Sequence, residues 1–340
     1  MGKAAAARKL AAAAAYGGGG LSVMGASLYG LLRLEAMIAR RVIGNADDEP
    51  PDSSGWYGMG RPGPEIEIVL LGDSSAAGYG VESVQDTPGA HLASGVVDVT
   101  DRQVHLRSFA FVGAQTRDLD RQIESALLEK PDVAVILIGV NDVTHSRRPA
   151  ESVRLLEAAV RRLRVVGVEV VVGTCPDLGT IKPIAPPLRQ VARLWSRRLA
   201  AAQTIATIEA GGRTVSLGSV LGSTFTSSPA EFFGPDRFHP SAAGYASLAS
   251  VMLPSVLAAI DAAPEEDLAP EPARGDAILP VTEAAVEAVR VAGTEVDGTQ
   301  IGGATRGSRG RWVQLRRRRR QPEPEVEVPR TTEGEPATEG

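Results

Sequence analysis

Two short motifs in the sequence contain the residue types needed for nucleophilic catalysis. Gly72–Ser74 (Gly-Asp-Ser) carries a hydroxyl among small residues, and Asp236–His239 (Asp-Arg-Phe-His) places a carboxylate three residues before an imidazole. With this spacing the aspartate can hold one ring nitrogen of the histidine while the other nitrogen takes a proton from a serine. Ser74, Asp236 and His239 are therefore candidates for a nucleophile, the group that orients a base, and the base itself. Considered alone, Asp236 and His239 also fit a structural capping pair.

A third motif, Gly139–Asp142 (Gly-Val-Asn-Asp), carries a side-chain amide directly after an apolar run. An asparagine at this position can donate a hydrogen bond to negative charge that develops on a substrate oxygen. The structural alternative is a turn or a helix cap, for which Asn141 and Asp142 are well suited. We expect Asp142, like Asp73, to shape its loop as a hydrogen-bond acceptor rather than to react.

The elements that must position these motifs are predicted from apolar periodicity. Short apolar runs bounded by turn residues alternate with longer segments whose apolar residues recur at helical spacing. The strands are predicted over residues 65–71, 105–111, 132–138, 168–173 and 213–217, and the helices over 116–128, 150–165, 187–208 and 240–260. Such alternation predicts an α/β fold in which helices cover both faces of a parallel sheet. Ligands of these sheets bind beyond the carboxyl ends of the strands, where the Ser74 and Asn141 motifs lie.

Taken together, the order and spacing of the motifs resemble those of the SGNH hydrolases, also called the GDSL esterase/lipase family. That family has Gly-Asp-Ser near the first strand, a glycine after the second, Gly-x-Asn-Asp after the third and Asp-x-x-His near the end. The matching positions are Gly72–Ser74, Gly113, Gly139–Asp142 and Asp236–His239, within a resemblance that covers about Glu65 to Ile260. The resemblance implies a flavodoxin-like three-layer α/β/α sandwich with a central parallel sheet.

The resemblance also implies a role for each candidate residue. Ser74 would be the nucleophile, His239 the general base and later the acid, and Asp236 the group that orients His239. The oxyanion hole would consist of the backbone N–H groups of Ser74 and Gly113 and the side-chain amide of Asn141. No cofactor and no metal is required. An asparagine often found upstream of this glycine in the family is absent here, so a plain turn glycine is the alternative interpretation of Gly113.

Composition limits the classes of partner. The 340 residues carry a formal net charge of −5, which gives no general reason to expect binding to nucleic acid. Four histidines and one cysteine argue against a zinc cluster of the common Cys/His kinds. The expected partner is a small acyl-ester or lipid substrate.

Composition also divides the chain into four segments. Residues 1–44 begin with basic residues followed by a charge-free stretch from Leu10 to Leu32, which as a helix is long enough to cross a bilayer. We predict a signal or membrane anchor in this segment, with a flexible Ala/Gly leader as the alternative. Residues 45–64 are predicted to be a Pro/Gly-rich linker, 65–262 the SGNH hydrolase catalytic domain and 263–340 a low-complexity, disordered tail.

Two features within the predicted tail differ from the rest of it. A modest apolar patch around residues 277–291 predicts a short helix. The arginine run 316–320 is locally basic, and flanking glutamates partly offset its charge. We interpret this run as part of a solvated tail, with docking to anionic lipid or another polyanion as the alternative.

The sequence therefore predicts a serine esterase that hydrolyses carboxylic acyl esters and is exported or membrane-anchored in the cell envelope. A deacetylase or acyltransferase acting on cell-envelope glycans is an alternative that uses the same chemistry on another acceptor. A non-catalytic anchored binding protein that keeps the fold is an alternative from a different class. The presence of Ser74, Asp236 and His239 together argues against that last alternative.

Overall fold

The computed structural model describes residues 27–39, 41–44, 48–218, 229–262, 277–291, 293–299 and 312–317. From residue 48 onward, the strands and α-helices are, in chain order, β1 (Gly55–Tyr57), β2 (Ile66–Gly72), α1 (Ser74–Ala77), α2 (Pro88–Thr100), β3 (Val104–Ser108), α3 (Leu119–Ala126), β4 (Val133–Leu137), α4 (Val140–Thr144), α5 (Pro149–Val165), β5 (Glu169–Gly173), α6 (Leu188–Glu209), β6 (Arg213–Val215), α7 (Pro229–Phe232), α8 (Ala242–Ala259), β7 (Ala277–Pro280), α9 (Val281–Ala288), β8 (Thr294–Gly298) and β9 (Trp312–Arg317). Residues 27–39 and 41–43 are also helical.

The strands form one sheet in the order β1-β3-β2-β4-β5-β6-β8-β9-β7. Its five central strands, from β3 to β6, are all parallel. If β2 is counted as the first of these five strands along the chain, their order across the sheet is 2-1-3-4-5. This is the flavodoxin-like order of a doubly wound sheet. The predicted α/β fold class is confirmed. The sheet as a whole is mixed rather than parallel, because antiparallel strands extend it at both edges.

Alternate residues of the central strands are buried on opposite faces of the sheet, as the two-residue period of a strand requires. On β2, Ile68 and Leu70 belong to the apolar cluster that includes residues of α2 and α8. Val69 and Leu71 belong to a second cluster, which includes residues of α3 and α5. Burial on both faces explains why the strand is continuously apolar from Ile68 to Leu71. It also accounts for the three layers of helix, sheet and helix.

Two of the predicted domain boundaries are wrong in part. The predicted linker 45–64 contains β1, which pairs with β3 and so belongs to the sheet. The predicted disordered tail 263–340 contains β7, α9, β8 and β9, which continue the sheet beyond β6. The tail is too polar to form a core alone, but Val296, Val313 and Leu315 are buried against the rest of the fold.

Among the described residues, α8 is the one helix long and apolar enough to cross a membrane. It lies inside the fold with most of its residues buried, so it is a core helix. Residues 1–26 and 40 of the predicted signal or anchor segment 1–44 lie outside the described residues.

Candidate active site

The backbone around Ser74 is shaped by a sharp turn between β2 and α1. Gly72 has φ of +140°, and a Cβ there would lie only 1.9 Å from the carbonyl oxygen of Leu137 on the neighbouring strand. No other residue fits this approach. Asp73 then caps α1 by accepting a hydrogen bond from the N–H of Ser75 at 3.0 Å. Ser74 is the first residue of this short helix, at the carboxyl end of the sheet.

A glutamine that the sequence analysis missed holds this turn in position. The Gln122 side chain accepts a hydrogen bond from the N–H of Gly72 at 2.7 Å and donates one to its carbonyl at 2.9 Å. Gln122 is buried on α3, on the same face as Leu119, Ile123 and Ala126. The available signal was an amide side chain inside an apolar helical face, since a buried amide requires hydrogen-bond partners. Gln122 is a positioning residue that acts through Gly72, which lies two residues before Ser74.

The loop before α8 orients His239 through Asp236. One carboxylate oxygen of Asp236 accepts the backbone N–H groups of Phe238 and His239 at 2.9 and 3.0 Å. The other oxygen lies 2.6 Å from His239 Nδ1. Partial burial acts to raise the pKa of Asp236, but the hydrogen bonds from the His239 ring and these N–H groups outweigh it and hold the pKa below its usual range. Asp236 is therefore ionised at neutral pH.

The fold brings His239 and Ser74 together across 165 residues of sequence. His239 Nε2 lies 3.0 Å from Ser74 Oγ, so the imidazole bridges the hydroxyl and the Asp236 carboxylate. The ring of His239 is itself confined between two aromatic rings. Its centroid is 4.5 Å from that of Tyr79 and 4.9 Å from that of Phe238, which it meets edge to face.

Asn141 and Gly113 lie on two loops that are tied to each other. Asn141 is in α4, directly beyond β4, and its Nδ2 donates to the carbonyl of Ala114 at 2.9 Å. The preceding residue, Gly113, is exposed and has φ of +83°, which favours glycine whatever its role. A Cβ at Gly113 would meet nothing within 4 Å, so backbone conformation and not crowding selects glycine here. The oxyanion role of these residues stays a prediction.

Asp142 shapes its loop as an acceptor, and this prediction is confirmed. Its Oδ2 accepts hydrogen bonds from the N–H and the hydroxyl of Thr116, at 3.1 and 2.9 Å. Its Oδ1 accepts from the hydroxyl of Ser152 at 2.6 Å. These contacts join the loops that follow β3 and β4, which carry Gly113 and Asn141.

Asp73 is also an acceptor, but it is less completely satisfied. It is fully buried, and among the described residues its Oδ2 has no hydrogen-bond partner. Burial raises the pKa of Asp73 to about 6, against the lowering effects of the Ser75 N–H and of His239. The carboxyl group therefore titrates close to neutral pH in the folded protein.

We expect this titration to make stability depend on pH. The pKa of Asp73 is about 6 in the folded state and about 3.9 in the unfolded state. At pH values between these two, the folded state therefore binds more protons than the unfolded state. The free energy of unfolding should fall as pH rises through this window, by at most about 3 kcal/mol. Asp73→Asn should remove that slope in urea unfolding measured from about pH 4 to pH 8. An unchanged slope in Asp73→Asn, or its equal loss in the exposed control Asp98→Asn, would contradict the assignment.

The other histidines make different contacts. His145 is exposed on the surface, where its Nδ1 lies 2.9 Å from the carbonyl of Asn141. His105 pairs with Glu67 at 2.8 Å and stacks on Trp56. In the described part of the chain, no three or more His, Cys, Asp and Glu side chains form a group able to hold a metal ion.

A narrow, largely apolar cleft of about 40 Å³ opens beside His239. It runs between the carboxyl ends of β4 and β5 and the loop after β5, and its walls include Val140, Leu178, Ile181 and Phe238. Because one water molecule needs about 10–15 Å³ of cavity volume, the cleft accommodates a group of about three heavy atoms.

Comparison with known proteins identifies a family and a sequence relative. A model of the GDSL-like lipase/acylhydrolase family matches residues 70–247. The GDSL-like esterase Rv1075c of Mycobacterium tuberculosis is 40% identical over 245 residues, which are 68% of this chain and 77% of that protein.

Two solved structures are similar to the chain at lower identity. LAE5, an alpha/beta hydrolase enzyme from the metagenome of Lake Arreo, Spain, has 20% identity and a TM-score of 0.47, over 58% of this chain and 95% of its own. Axe2, an acetylxylan esterase from Geobacillus stearothermophilus, has 19% identity and a TM-score of 0.44, over 57% of this chain and 94% of its own.

The family match and the sequence relative agree on one assignment. The matched residues 70–247 are more than half of the 340-residue chain, and they include Ser74, Gly113, Asn141, Asp236 and His239. The relative is an esterase by name and aligns over most of its own length. The chain therefore belongs to the GDSL-like lipase/acylhydrolase family, the SGNH hydrolases, and is a hydrolase that acts on ester bonds.

Proposed function

We propose that the protein is a serine esterase that hydrolyses carboxylic esters, with Ser74 as nucleophile, His239 as general base and Asp236 as the group that orients His239. The observation that carries the proposal is the continuous contact of these side chains. His239 lies 3.0 Å from the Ser74 hydroxyl through Nε2 and 2.6 Å from the Asp236 carboxylate through Nδ1. Both distances are within the range of a hydrogen bond, which is the geometry that general-base activation needs.

The proposed reaction has two steps. His239 Nε2 takes the proton of Ser74 Oγ as that oxygen bonds to the ester carbonyl carbon. The carbonyl oxygen becomes an oxyanion, the ester C–O bond breaks, and His239 returns the proton to the departing alcohol. Water then attacks the acyl-enzyme in the same way, releasing the acid and restoring the Ser74 hydroxyl. Throughout, the ionised Asp236 stabilises the imidazolium and keeps the second ring nitrogen protonated.

The proposed oxyanion donors are the backbone N–H groups of Ser74 and Gly113 and the side-chain amide of Asn141. The proposal is supported by the position of Asn141 beyond β4 and by its 2.9 Å bond to the carbonyl of Ala114, next to Gly113. That bond uses one of the two amide N–H groups, which leaves the other for a substrate oxygen.

Asn141→Ala is expected to lower kcat by about 10²–10³, the usual effect of losing one oxyanion donor. KM should change much less, because the donor acts mainly on charge present in the transition state. The measurement is steady-state hydrolysis of p-nitrophenyl acetate. Thr144→Ala, exposed on the same short helix, is the matched control and should keep its rate. A wild-type kcat in Asn141→Ala would remove this residue from the mechanism.

The cleft beside His239 favours a short acyl group. Its volume of about 40 Å³ accommodates the alkyl part of an acetyl or butyryl group, which has one or three carbons, but not a long alkyl chain. The experiment that tests the proposed function is therefore hydrolysis of p-nitrophenyl acetate, butyrate and octanoate by the purified protein. We expect turnover of the first two, with kcat/KM falling steeply at octanoate. No turnover of any ester would overturn the esterase proposal.

A variant distinguishes the cleft from other causes of such a preference. Leu178 lines the cleft and is buried, so Leu178→Ala enlarges the space next to His239. It is expected to raise relative activity on octanoate, whereas Leu194→Ala, on the exposed side of α6, should leave the preference unchanged. An unaltered preference in Leu178→Ala would mean that the acyl chain lies elsewhere while the nucleophile assignment stands.

A further inference from the structure

The helical residues 27–39 and 41–43, called here the N-terminal segment, are fixed to the body of the protein by their inner face. Glu35 is buried, and its Oε2 accepts a hydrogen bond at 2.9 Å from the N–H of Leu188, the first residue of α6. Ala39 is also buried, 5% exposed, in an apolar cluster with residues such as Phe232 and Phe233. These contacts give the segment one defined orientation.

The segment lies at the rim of the candidate active site. The cluster that buries Ala39 also contains Leu178 and Ile181, which line the cleft beside His239. It contains Val140, which precedes Asn141, and Phe238 packs against it. Whatever covers the outer face of the segment is therefore close to the mouth of the site.

The outer face is unusually apolar for a surface. Nineteen large apolar side chains are exposed in the described part of the chain, and seven of them lie between residues 28 and 42. Leu34, Met37 and Ile38, for example, are 47–49% exposed. Scattered exposed apolar residues need no explanation, but a contiguous group of them on one helix marks an interaction surface.

The charges on this segment identify the kind of partner. The charged residues of the sequence from 27 to 43 are Arg33, Glu35, Arg40 and Arg41, and the single acidic side chain, Glu35, is turned inward. Arg33 and Arg41 are exposed. Apolar side chains flanked by arginine are typical of a helix at the surface of an anionic membrane. The sequence that leads into the segment, from Leu10 to Leu32, contains no charged residue.

We propose that the N-terminal segment, residues 27–39 and 41–43, lies in the interface of an anionic phospholipid bilayer and holds the rim of the candidate active site against that surface. The apolar face enters the headgroup region, and Arg33 and Arg41 contact lipid phosphates. Leu194 and Trp195, exposed on the helix whose first N–H is bonded to Glu35, supply further side chains suited to this interface. The proposal concerns where the protein binds, so it does not depend on the esterase mechanism.

The test reads the surroundings of the outer face directly. Cys175 is buried at 1% exposure, so a cysteine introduced as Met37→Cys in the full chain is the accessible thiol for an environment-sensitive fluorophore. With vesicles of phosphatidylcholine and about one-third phosphatidylglycerol, we expect the emission of the fluorophore to shift to shorter wavelength and to be quenched by brominated lipid. Leu128→Cys, 82% exposed in the turn between α3 and β4, is the matched control and should show neither effect.

Three outcomes would overturn the proposal. The first is a fluorophore on Met37→Cys that stays in water although the protein co-floats with the vesicles in a density gradient. That result would mean that residues before the N-terminal segment attach the protein to the membrane. The second is a protein that does not co-float with the vesicles at all. The third is a fluorophore already shielded without vesicles in a dimeric protein, which would mean that a second copy covers the face. Turnover of p-nitrophenyl acetate checks that each labelled protein is folded, and loss of that turnover alone bears on the esterase proposal instead.

The arginines provide an independent readout. A basic residue near an anionic membrane surface contributes about 1 kcal/mol, so Arg33→Gln and Arg41→Gln should each weaken vesicle partitioning about fivefold. The partitioning is measured by titrating the Met37→Cys fluorophore with vesicles. Arg154→Gln and Arg161→Gln, exposed on α5, are the matched controls for charge. Equal effects from both pairs would indicate attraction by net charge alone and contradict a defined interface.

Discussion

Ser74→Ala is expected to abolish hydrolysis, with kcat for p-nitrophenyl acetate reduced by about 10⁴–10⁶. In the proposed mechanism the alanine removes the oxygen that would form the acyl-enzyme, and the neighbouring groups could not replace it. His239 would still be held by Asp236 at 2.6 Å, but it would have no hydroxyl at its Nε2 to activate. The remaining rate would come from substrate binding and oxyanion donors acting on water.

Ser75→Ala is the matched control, because Ser75 is adjacent in the same short helix. It should retain a rate within about tenfold of wild type, since His239 Nε2 contacts Ser74. A fluorophosphonate probe should label the wild type and Ser75→Ala on Ser74, and leave Ser74→Ala unlabelled. Rapid hydrolysis by Ser74→Ala would show that another group is the nucleophile.

Asp236→Asn is expected to have the second-largest effect, a fall in kcat of about 10⁴. The amide oxygen of asparagine can still accept the N–H groups of Phe238 and His239, so the turn should be kept. It carries no negative charge, however, and it cannot stabilise a protonated imidazole as the ionised carboxylate does. The measurement is kcat together with the midpoint of thermal unfolding, which should change little.

A double-mutant cycle separates this mechanism from general damage to the site. If Asp236 acts only through His239 on Ser74, the Ser74→Ala/Asp236→Asn variant should be no slower than Ser74→Ala alone. Additive losses would mean that Asp236 contributes by another route. His239→Gln in the Ser74→Ala background should behave in the same way, because the three side chains form one contact chain.

The central fold could be predicted because its signals are local. β2 and β4 are buried on both faces, so residues 68–71 of β2 and all of β4 form continuous apolar runs in the sequence. The helices that cover them show apolar residues at a period near 3.6. The polar motifs then follow the strands directly, and the parallel topology brings those strand ends to one edge of the sheet.

The antiparallel strands beyond β6 could not be predicted because their stability comes from distant partners. β8 contains Glu295, which is fully buried and looks like a solvent-exposed residue in the sequence. Its carboxylate pairs with Arg213 on β6 at 2.9 Å and accepts the hydroxyl of Ser255 on α8 at 2.8 Å. A composition window over residues 263–340 cannot contain those partners, so it predicts disorder.

The sequence by itself determined the chemical types of the candidate site and the alternation of strand and helix that carries them. Only the tertiary structure decided the distances, such as 3.0 Å between Ser74 and His239, and the support of Gly72 by Gln122. Apolar periodicity is a property of neighbouring residues, whereas these contacts join residues separated by 165 and 50 positions. They exist because packing of the whole sheet and its helices offsets the entropy lost in ordering each loop.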